Sequence, residues 1–262
     1  MSPRTETGPE MANASTVHVR WKIPARRVEM VKEKAAVIVL DLPPEIDPEN
    51  VLDGGHVAIS TGGESRTSYF AVMSVDRPRR SLMLYVKRSS TGVVSAALLD
   101  PAGAELFMAE PRPGIDLPTG VQRPMFIAAG SGLASGLGLL RRRLRQSPVG
   151  TRPVPLLFVG DAEECGTVRA AVAAQNGGSS VELRLWDTGR RGRRVTAADV
   201  QRAAAGLQAD WIYVCGPEAF TQMVGGAIGA LPGQVPQLVV ECHEDRRKAT
   251  GARDSVPALR NP

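Results

Sequence analysis

Apolar and polar positions alternate in short runs over the first part of the chain. The runs between Val17 and Met108 are VHVRWKI, AAVIVLDL, HVAIS, SYFAVMSV, SLMLYVKR and AELFMAE. Pro-Pro, Asp-Gly-Gly, Gly-Gly and Arg-Pro-Arg-Arg segments separate them, and such segments favour turns. Strands of this number and spacing predict an N-terminal antiparallel β-barrel or sandwich. GVVSAALL (92–99) is predicted to be a short helix within it.

The pattern changes after PRPGIDLPTGVQRP (111–124), which holds four prolines and two glycines and is predicted to be a linker. Near-continuous apolar runs then alternate with amphipathic segments. This alternation predicts βαβ units in a C-terminal α/β domain with a parallel five-stranded sheet. The predicted strands are PMFIAAG, PLLFVG, VELRLW, DWIYVCG and QLVVECH, and the predicted helices are LASGLGLLRRRLRQ, EECGTVRAAVAAQ, TAADVQRAAAGLQ and PEAFTQMVGGAIGAL.

These patterns predict two domains between two polar ends. We expect a disordered tail over 1–16, a β-barrel over 17–118, an α/β domain over 119–245 and a basic polar tail over 246–262. The chain of 262 residues is long enough for two domains of ordinary size.

Composition narrows the possible chemistry. Hydrophobic residues make up 43% of the chain and charged residues 23%, which is typical of a packed globular protein. The three cysteines lie far apart without a CxxC pair, so the sequence indicates no disulfide framework, iron–sulfur cluster or structural zinc site. The three histidines also lack a metal-binding spacing, and no metal site is expected.

The net charge of +5 comes mostly from clusters of arginine, with Arg141–Arg143, Arg190–Arg194 and Arg246–Lys248 as the main groups. Aromatic residues are not interleaved with these clusters, so nucleic-acid binding is not expected. Solvated faces are the ordinary interpretation, and an acidic partner protein is the alternative. No apolar run is long enough to span a membrane, and the N-terminus lacks a signal-peptide core, so we expect a cytoplasmic protein.

A glycine-rich segment follows the first strand of the α/β domain. Gly130 and Gly132 flank Ser131 and precede Leu133 and Ala134 at the start of the predicted helix. Glycines at such a turn allow a phosphate to approach the backbone N–H groups at the helix N-terminus. A tight turn without any ligand is the alternative interpretation.

The second distinctive segment is VCGPEAF, where Cys215, Gly216 and Pro217 end the fourth strand of this domain. The thiol could be a redox centre, a nucleophile, a metal ligand or a small group beneath a flat ligand. No histidine or cysteine stands at a spacing that would support the nucleophilic or metal roles. Because the carboxyl ends of parallel strands lie at one sheet edge, this segment is expected near Gly130.

Together these segments resemble the ferredoxin–NADP reductase-like superfamily over roughly residues 17–243. Members combine a flavin-binding barrel with a pyridine-nucleotide domain. That domain opens with a pattern like GG-[TS]-G-[IL]-[TA]-P, carries CGP after its fourth strand and has a GRVT segment. The corresponding stretches here are AGSGLAS (129–135), CGP (215–217) and GRRGRRVTAADV (189–200).

The barrel resembles the family less completely. Asp53–Val57 corresponds to the family's PGQ-[FY]-V turn, and YVKR followed by GVVS (92–95) corresponds to its VKR…GxxS pattern. Arg66 corresponds to the arginine of the R-x-Y-[ST] flavin motif, but Ser68 stands where the stacking aromatic is expected, with Tyr69 one place further. A shift of one residue in a strand turns a side chain to the opposite face. Either a local bulge restores Tyr69 to the flavin, or the flavin has no aromatic partner here.

The resemblance implies an NAD(P)H oxidoreductase that binds FAD, or FMN, and passes electrons to a protein or small-molecule acceptor. Acidic residues after the second and third strands of the α/β domain favour NADH over NADPH. Cys215 is expected to contact the nicotinamide. The residues expected to bind the cofactors are Arg66, Ser68, Tyr69, Lys87, Gly92, Val93, Val94, Ser95, Gly130, Ser131, Gly132, Leu133, Ala134, Gly160, Asp161, Cys215, Gly216 and Pro217.

Two alternatives are compatible with the same sequence. The chain could be a non-catalytic nucleotide-binding or assembly subunit that has lost flavin, which Ser68 and Ser135 would suit. It could also be the electron-transfer subunit of a larger oxidoreductase complex, with an iron–sulfur cluster on a partner and the arginine clusters as docking surface. Glu241 and His243, at the end of the last strand, are expected near the cleft or in solvent.

Overall fold

A computed structural model of the chain describes residues 20–62, 67–89, 92–146, 152–174, 181–204, 206–231 and 236–243. Arg66, the two predicted tails and the basic segment Arg246–Lys248 lie outside these ranges. The described residues form one antiparallel and one parallel sheet, which confirms the predicted fold class.

The antiparallel sheet has seven strands in the order β1-β7-β4-β5-β6-β3-β2. Its two outer strands are separated in sequence by Pro24 alone, and the sheet curls into a barrel around an apolar interior that includes Ile38, Val57 and Leu84. The predicted short helix is present as α1. The bounds are β1 Arg20–Ile23, β2 Ala25–Lys32, β3 Ala35–Asp41, β4 His56–Thr61, β5 Thr67–Asp76, β6 Ser81–Lys87, α1 Val93–Leu99 and β7 Leu106–Ala109.

Strand β2 was not among the sequence-predicted strands. Half of the residues in its sequence ARRVEMVK are charged, and it pairs with β3 at the edge of the sheet. Charged residues are common on edge strands because they discourage pairing with other chains. An edge strand therefore lacks the apolar run by which the inner strands were recognised.

The parallel sheet has the order β10-β9-β8-β11-β12. Helix α2 packs against the face that carries Phe126 and Trp211, while α5 and α6 cover the opposite face. The single turn of helix α4 was not predicted. The bounds are β8 Pro124–Ala129, α2 Leu133–Gln146, β9 Val154–Gly160, α3 Ala162–Ala173, β10 Val181–Asp187, α4 Thr188–Arg191, α5 Ala197–Ala204, β11 Trp211–Pro217, α6 Glu218–Gly229 and β12 Gln237–His243.

The barrel and the parallel sheet share a core through α2. One buried cluster joins Ala71 and Met73 on the outer face of β5 to Leu137, Leu140 and other residues of α2. At the centre of this contact three glycines meet. A Cβ atom on Gly138 would overlap the backbone of Gly54, and one on Gly114 would overlap the Gly54 carbonyl group. The helix backbone therefore lies directly against the Asp53–Gly55 turn of the barrel.

Replacing Gly138 by alanine is expected to destabilise the protein. Alanine favours a helix by about 1 kcal/mol relative to glycine, but here its methyl group would overlap backbone atoms that cannot move aside without shifting a domain. Overpacking of this kind costs roughly 1–3 kcal/mol, so we expect a lower free energy of unfolding in denaturant titrations.

Gly166 provides the matched control, because it is an exposed glycine within α3 where an added Cβ atom would meet no other atom within 4 Å. Gly166→Ala should leave the protein unchanged or stabilise it by up to about 1 kcal/mol. Equal stabilisation by both substitutions would contradict the close contact at Gly138.

Candidate functional site

The two glycine-containing segments meet at the carboxyl edge of the parallel sheet. The strand order places β8 beside β11, where the sheet changes direction of winding, and such switch points form ligand crevices in open α/β sheets. A Cβ atom on Gly132 would overlap the carbonyl oxygen of Cys215 and lie 2.9 Å from the nitrogen of Gly216. The structure thus brings together the two loops that the sequence predicted at one edge.

The first loop is built to leave backbone groups accessible. Gly130 has φ of 52°, in the left-handed region that glycine adopts most readily. Gly130 to Gly132 form a single 3-10 turn that leads into α2, and Ser131 is partly exposed. Leu133 and Ala134 are buried in the shared core, so they can offer only backbone N–H groups. This end of the 14-residue helix α2 suits an anionic group such as a phosphate.

Lys87 adds a positive charge beside this loop. Its ammonium group lies 4.0 Å from the point that a Cβ atom on Gly130 would occupy. It also lies 3.4 Å from a carboxylate oxygen of Glu164. The lysine therefore reaches from the end of β6 in the barrel towards the α/β domain.

Cys215 is fully buried on the α2 side of the sheet, together with Trp211 and Tyr213 of the same strand. Burial raises the pKa of its thiol well above the usual value, and the carboxylate of Glu241 acts in the same direction. The thiol is therefore protonated at neutral pH. Because the thiolate is the reactive form, this environment does not suit a nucleophile.

Glu241, at the end of β12, lies within hydrogen-bonding distance of polar side chains from both domains. Ser135 Oγ donates to Oε1 over 3.0 Å, and the Tyr213 hydroxyl donates to Oε2 over 2.6 Å. From the barrel, Nε2 of His56 lies 3.0 Å from Oε1. Glu241 thus faces the interdomain boundary beside Cys215 rather than open solvent. The side chain of His243 lies outside the described part of the structure.

The sequence did not identify His56, Ser135 or Tyr213 as members of this network. His56 directly follows the Asp53–Gly55 turn, which contacts α2. This position was the one feature of the sequence that indicated a place for His56 at the domain boundary. Ser135 and Tyr213 sit in apolar stretches where a hydroxyl group without a partner would be costly when buried. Their common partner is 106 and 28 residues away respectively, which no local pattern reveals.

Strand β5 presents Tyr69, and not Ser68, to the outside of the barrel. Ser68 pairs opposite Ile59, whose side chain is in the barrel interior, whereas Tyr69 pairs opposite Ala58. Tyr69 is 49% exposed, and the guanidinium group of Arg112 lies 5.2 Å from its ring centre. Simple alternation along the strand sets this orientation. The irregularity in β5 lies further along, between Val72 and Ser74.

The segment at α1 that corresponds to the family's GxxS pattern is ordered by its own contacts. Ser95 Oγ accepts a hydrogen bond from the backbone N–H of Ser89 and donates one to the Gly92 carbonyl. Val94 and Ser95 are buried, while Val93 is 47% exposed. The serine hydroxyl therefore holds the turn, and the exposed parts of this segment are Val93 and the backbone around Gly92.

Gly160 and Asp161 take part in an ionic cluster between the domains. Asp161 caps α3 in a capping box with Glu164 and forms an ion pair with Lys32 of the barrel. A Cβ atom on Gly160 would lie 2.8 Å from Glu164 Oε2, so the glycine makes room for that side chain. Asp161 therefore contacts the barrel directly, while Gly160 makes room for Glu164, which also pairs with the barrel.

Glu164 is the centre of this cluster. It is buried, pairs with Lys32 at 2.8 Å and accepts a hydrogen bond from the Tyr85 hydroxyl at 2.9 Å. Burial alone would raise the pKa of Glu164, but the hydrogen bond from Lys32 and the charges of Lys87 and Lys32 outweigh it and lower the pKa. Burial likewise opposes the charge of Lys32, yet Asp161 and Glu164 raise its pKa overall.

The end of β10 carries a different arrangement. Asp187 caps α4 by accepting a hydrogen bond from the backbone N–H of Arg190. Over the buried ring of Trp186 lie the guanidinium groups of Arg191 and Arg193, 4.0 and 4.7 Å from its centre. Arg193 is also held by both oxygens of Asp199. This edge therefore has one carboxylate beside stacked arginines.

The described residues offer no grouping of metal ligands. Within those ranges no three histidine, cysteine or acidic side chains lie together as a metal site would require. The helices among the same residues are too short or too polar to cross a membrane.

Solved structures of flavin- and nucleotide-binding reductase domains are similar to this chain, and they show that its fold is the ferredoxin–NADP reductase-like fold. The flavohem-like FAD/NAD-binding domain of a nitric oxide dioxygenase from Vibrio cholerae O1 biovar El Tor is 18% identical, with a TM-score of 0.62 over 85% of this chain and 98% of that one. Phthalate dioxygenase reductase is 17% identical, with a TM-score of 0.59 over 84% of this chain and 68% of that one.

Longer proteins contain the same fold as one part. A flavohemoglobin from Malassezia yamatoensis with bound FAD and heme is 15% identical, with a TM-score of 0.67 over 86% of this chain and 60% of that one. The chain spans 28% of a type IV self-sufficient cytochrome P450 monooxygenase. No protein-family model matches the sequence. Nor does any curated protein.

Removing the charge of Glu164 is expected to weaken the interdomain contact. Glu164→Gln leaves Lys32 and Lys87 without their shared partner, and we expect the free energy of unfolding at pH 7 to fall by about 2 kcal/mol. The control is Glu163→Gln, since Glu163 is exposed in the same turn of α3.

The pH dependence should identify the cause. Because the pKa of Glu164 is lowered in the folded state, its stabilising effect is present above the ordinary value of 4.5 and lost as the pH falls through the folded-state value. The Glu164→Gln variant should therefore lose less stability than the parent between about pH 5 and pH 3. Parallel acid unfolding curves for parent and variant would show that the carboxylate is not stabilised in the folded state.

Proposed function

We propose that the chain is an NAD(P)H-dependent flavin oxidoreductase module that accepts hydride from a pyridine nucleotide and passes electrons to a separate acceptor. The observation that carries this proposal is the contact between the Gly130–Gly132 turn and Cys215 at the switch point of the sheet, on the side that faces the barrel. The fold of the similar reductase domains supports it, and phthalate dioxygenase reductase is described as transferring electrons from pyridine nucleotides to [2Fe-2S].

The nucleotide would be held by backbone groups. Gly130, Ser131 and Gly132 would bind its pyrophosphate, with Leu133 and Ala134 contributing N–H groups and Lys87 an additional charge. Gly216 and Pro217 would border the other side of the crevice. This arrangement fits a dinucleotide, since the glycine-only contact at Gly132 brings the two loops close enough to share one extended ligand.

The flavin would be held on the barrel side, where the exposed residues suit a flat ring and its phosphate groups. Tyr69 offers an exposed ring on the outer face of β5, while Val93 and the backbone near Gly92 offer an exposed turn for its phosphate groups. FAD is the flavin we propose, with FMN as the alternative, and Arg66 and Lys87 would add positive charge. When bound, the flavin supplies the two-electron acceptor that the side chains of the protein lack.

The chain's own contribution would be to position these groups and exclude water. Cys215 would form a small, polarisable, uncharged floor near the nicotinamide, because its thiol remains protonated. The hydrogen bonds of Ser135 and Tyr213 to Glu241 would fix the position of the strand ends around Cys215. Ser68 faces the barrel interior, so its side chain is not part of the proposed flavin site.

We propose NADH as the preferred donor. The sequence favoured NADH because of acidic residues after the second and third strands of the α/β domain. Two of these, Asp161 and Glu164, are neutralised by Lys32 and Lys87 and would not repel a phosphate. Asp187 remains at the end of β10, where a carboxylate suits a ribose hydroxyl group better than a 2′-phosphate. Arg190 and Arg191 lie beside it in the sequence. The preference for NADH over NADPH therefore depends on whether the ribose contacts the carboxylate or an arginine.

A second candidate is the same chemistry within a larger assembly. The chain spans only part of several similar proteins, and those include a self-sufficient P450 monooxygenase and a flavohemoglobin. We propose an acidic electron-carrier protein or heme or iron–sulfur domain as the acceptor, docking on exposed arginines such as Arg190 and Arg194.

The proposal is tested by reconstituting the purified full-length chain with FAD or FMN and adding nucleotide without oxygen. We expect a yellow protein whose flavin absorbance is bleached by NADH, with kcat/KM for NADH above that for NADPH. A colourless protein that takes up neither flavin would favour the non-catalytic alternative, whereas faster bleaching by NADPH would reverse only the nucleotide preference.

Tyr69 should determine how tightly the flavin is held. Stacking on an aromatic ring contributes about 0.5–1.5 kcal/mol beyond buried area, so Tyr69→Ala should weaken flavin binding by roughly tenfold, measured by fluorescence titration. Tyr69→Phe should retain most of the affinity. Because the ring is half exposed, the melting temperature of the apoprotein should be unchanged, which separates loss of stacking from loss of folding.

Cys215 should behave as a contact and not as a reactant. For Cys215→Ala we expect a rate of NADH-driven bleaching within roughly tenfold of the parent and an unchanged pH profile, since the thiol carries no charge to titrate near neutrality. The control is Cys165→Ala, a buried cysteine on α3 whose pKa is raised to about 11. A loss of more than about a thousandfold confined to Cys215→Ala would indicate a chemical role for the thiol.

A further inference from the structure

A second cleft lies between the domains, at the end of α2 away from the Gly130–Gly132 turn. It has a volume of about 520 Å³ and is formed by the end of β5, the turn that follows it, β6 and the last two turns of α2. Nine residues of helix separate Gly132 from Arg141, a distance of roughly 13 Å. Its lining residues are Ser74, Val75, Asp76, Arg77, Pro78, Met83, Arg141 and Arg145.

Three of the charged side chains in this cleft already have partners. Arg145 pairs with the buried carboxylate of Asp53, and Arg77 pairs with Glu49 at 2.9 Å. Asp76 pairs with Arg79, which lies outside the lining. The cleft therefore gains little net charge from these residues.

Arg141 differs from them. Among the described residues no carboxylate or carbonyl group pairs with its guanidinium, and its Nε atom is fully buried without a hydrogen-bond partner. Burial lowers the pKa of this guanidinium, as it does for a cation without a compensating charge. Only the Nε atom is fully buried and the residue as a whole is partly exposed, so the unpaired charge carries a partial desolvation cost that an anion bound to the guanidinium would offset.

Ser74 supplies a second polar group to the cleft. The residue is 8% exposed, and its hydroxyl group lines the cleft beside Arg141. The register between β5 and β6 passes from Val72–Leu84 to Ser74–Met83, so Met73 is an extra residue in β5. This bulge places Ser74 on the outer face with Met83, where the cleft is. Bulges commonly redirect a side chain towards a functional site.

We propose that this cleft is a binding site for a small organic anion, whose carboxylate or phosphate group is bound by Arg141 and Ser74 and whose body packs against Met83 and Pro78. An arginine with free N–H groups binds such oxyanions strongly, and a hydroxyl group complements it. The volume falls within the range of ordinary small-molecule sites. The site is separate from the dinucleotide crevice and does not depend on the proposed redox function.

Calorimetric titration of the full-length chain with three probes tests this proposal. The probes are phenyl phosphate, benzoate and inorganic phosphate. We expect phenyl phosphate or benzoate to bind in the millimolar range or tighter, and the stronger of the two identifies the preferred oxyanion. Inorganic phosphate should bind more weakly because it has no apolar body. Failure of both aromatic anions to bind, or binding by inorganic phosphate alone, would overturn the proposal.

Substitutions locate the bound probe. Arg141→Gln should weaken binding by at least about tenfold, and Ser74→Ala by about threefold, because a hydrogen bond to a charged group is lost in each case. Arg169→Gln removes the same charge from an exposed position on α3 and should leave the affinity unchanged. Unchanged affinity in Arg141→Gln would place the anion elsewhere, for example at the Gly130–Gly132 turn, and would overturn the assignment.

A stability measurement provides the second readout. Without added anion, Arg141→Gln should have a melting temperature equal to or above that of the parent, because it removes a partly buried charge that has no counter-ion. Excess phenyl phosphate should raise the melting temperature of the parent but not that of the variant, so that the parent becomes the more stable of the two. A melting temperature that falls in Arg141→Gln and rises equally in both proteins with the probe would contradict a counter-ion role.

Discussion

The contact of α2 with the Asp53–Gly55 turn is the constraint on which the rest of the structure depends. Gly54, Gly114 and Gly138 allow three backbone segments to approach closer than any side chain would permit. Helix α2 begins at the Gly130–Gly132 turn and lies along β5, so this one contact sets the distance between that turn and the outer face of the barrel. The width of the crevice follows from glycine packing, since apolar burial alone would tolerate many spacings.

Two carboxylates, one buried and one partly buried, then fix the orientation that the glycines allow. Glu164 joins α3 to β2 and β6, and Glu241 joins β12 to His56 at the start of β4. Each lies on one side of the loop region, and each bonds to polar groups of the barrel. Buried polar contacts of this kind contribute less to net stability than to a unique arrangement, because any other arrangement leaves them unsatisfied. The crevice is therefore held by direction-dependent contacts at its two borders.

The sequence allowed the two sheets, five of the helices and both glycine-containing loops to be predicted, because apolar periodicity and turn residues are local signals. It did not reveal β2, whose sequence is half charged and lacks such a signal. It also left Ser68 and Tyr69 undecided, since the outward face of a strand depends on its register with β4. The partners of Glu164 and Glu241 could not be predicted either, because they depend on contacts between segments that are distant in sequence. Lys32 is far from Glu164 in sequence, and only the assembled domains bring such pairs together.

The bulge in β5 has a consequence for how this strand can vary. Tyr69 and Ser74 stand an odd number of positions apart, yet both face outwards, because Met73 is an extra residue between them. Removing one residue from this stretch would leave the pairing with β4 and β6 possible but would turn one of the two side chains into the barrel. Length changes by a single residue should thus be rare here, even where substitutions are tolerated, since the strand must keep one face towards both the proposed flavin site and the proposed anion site.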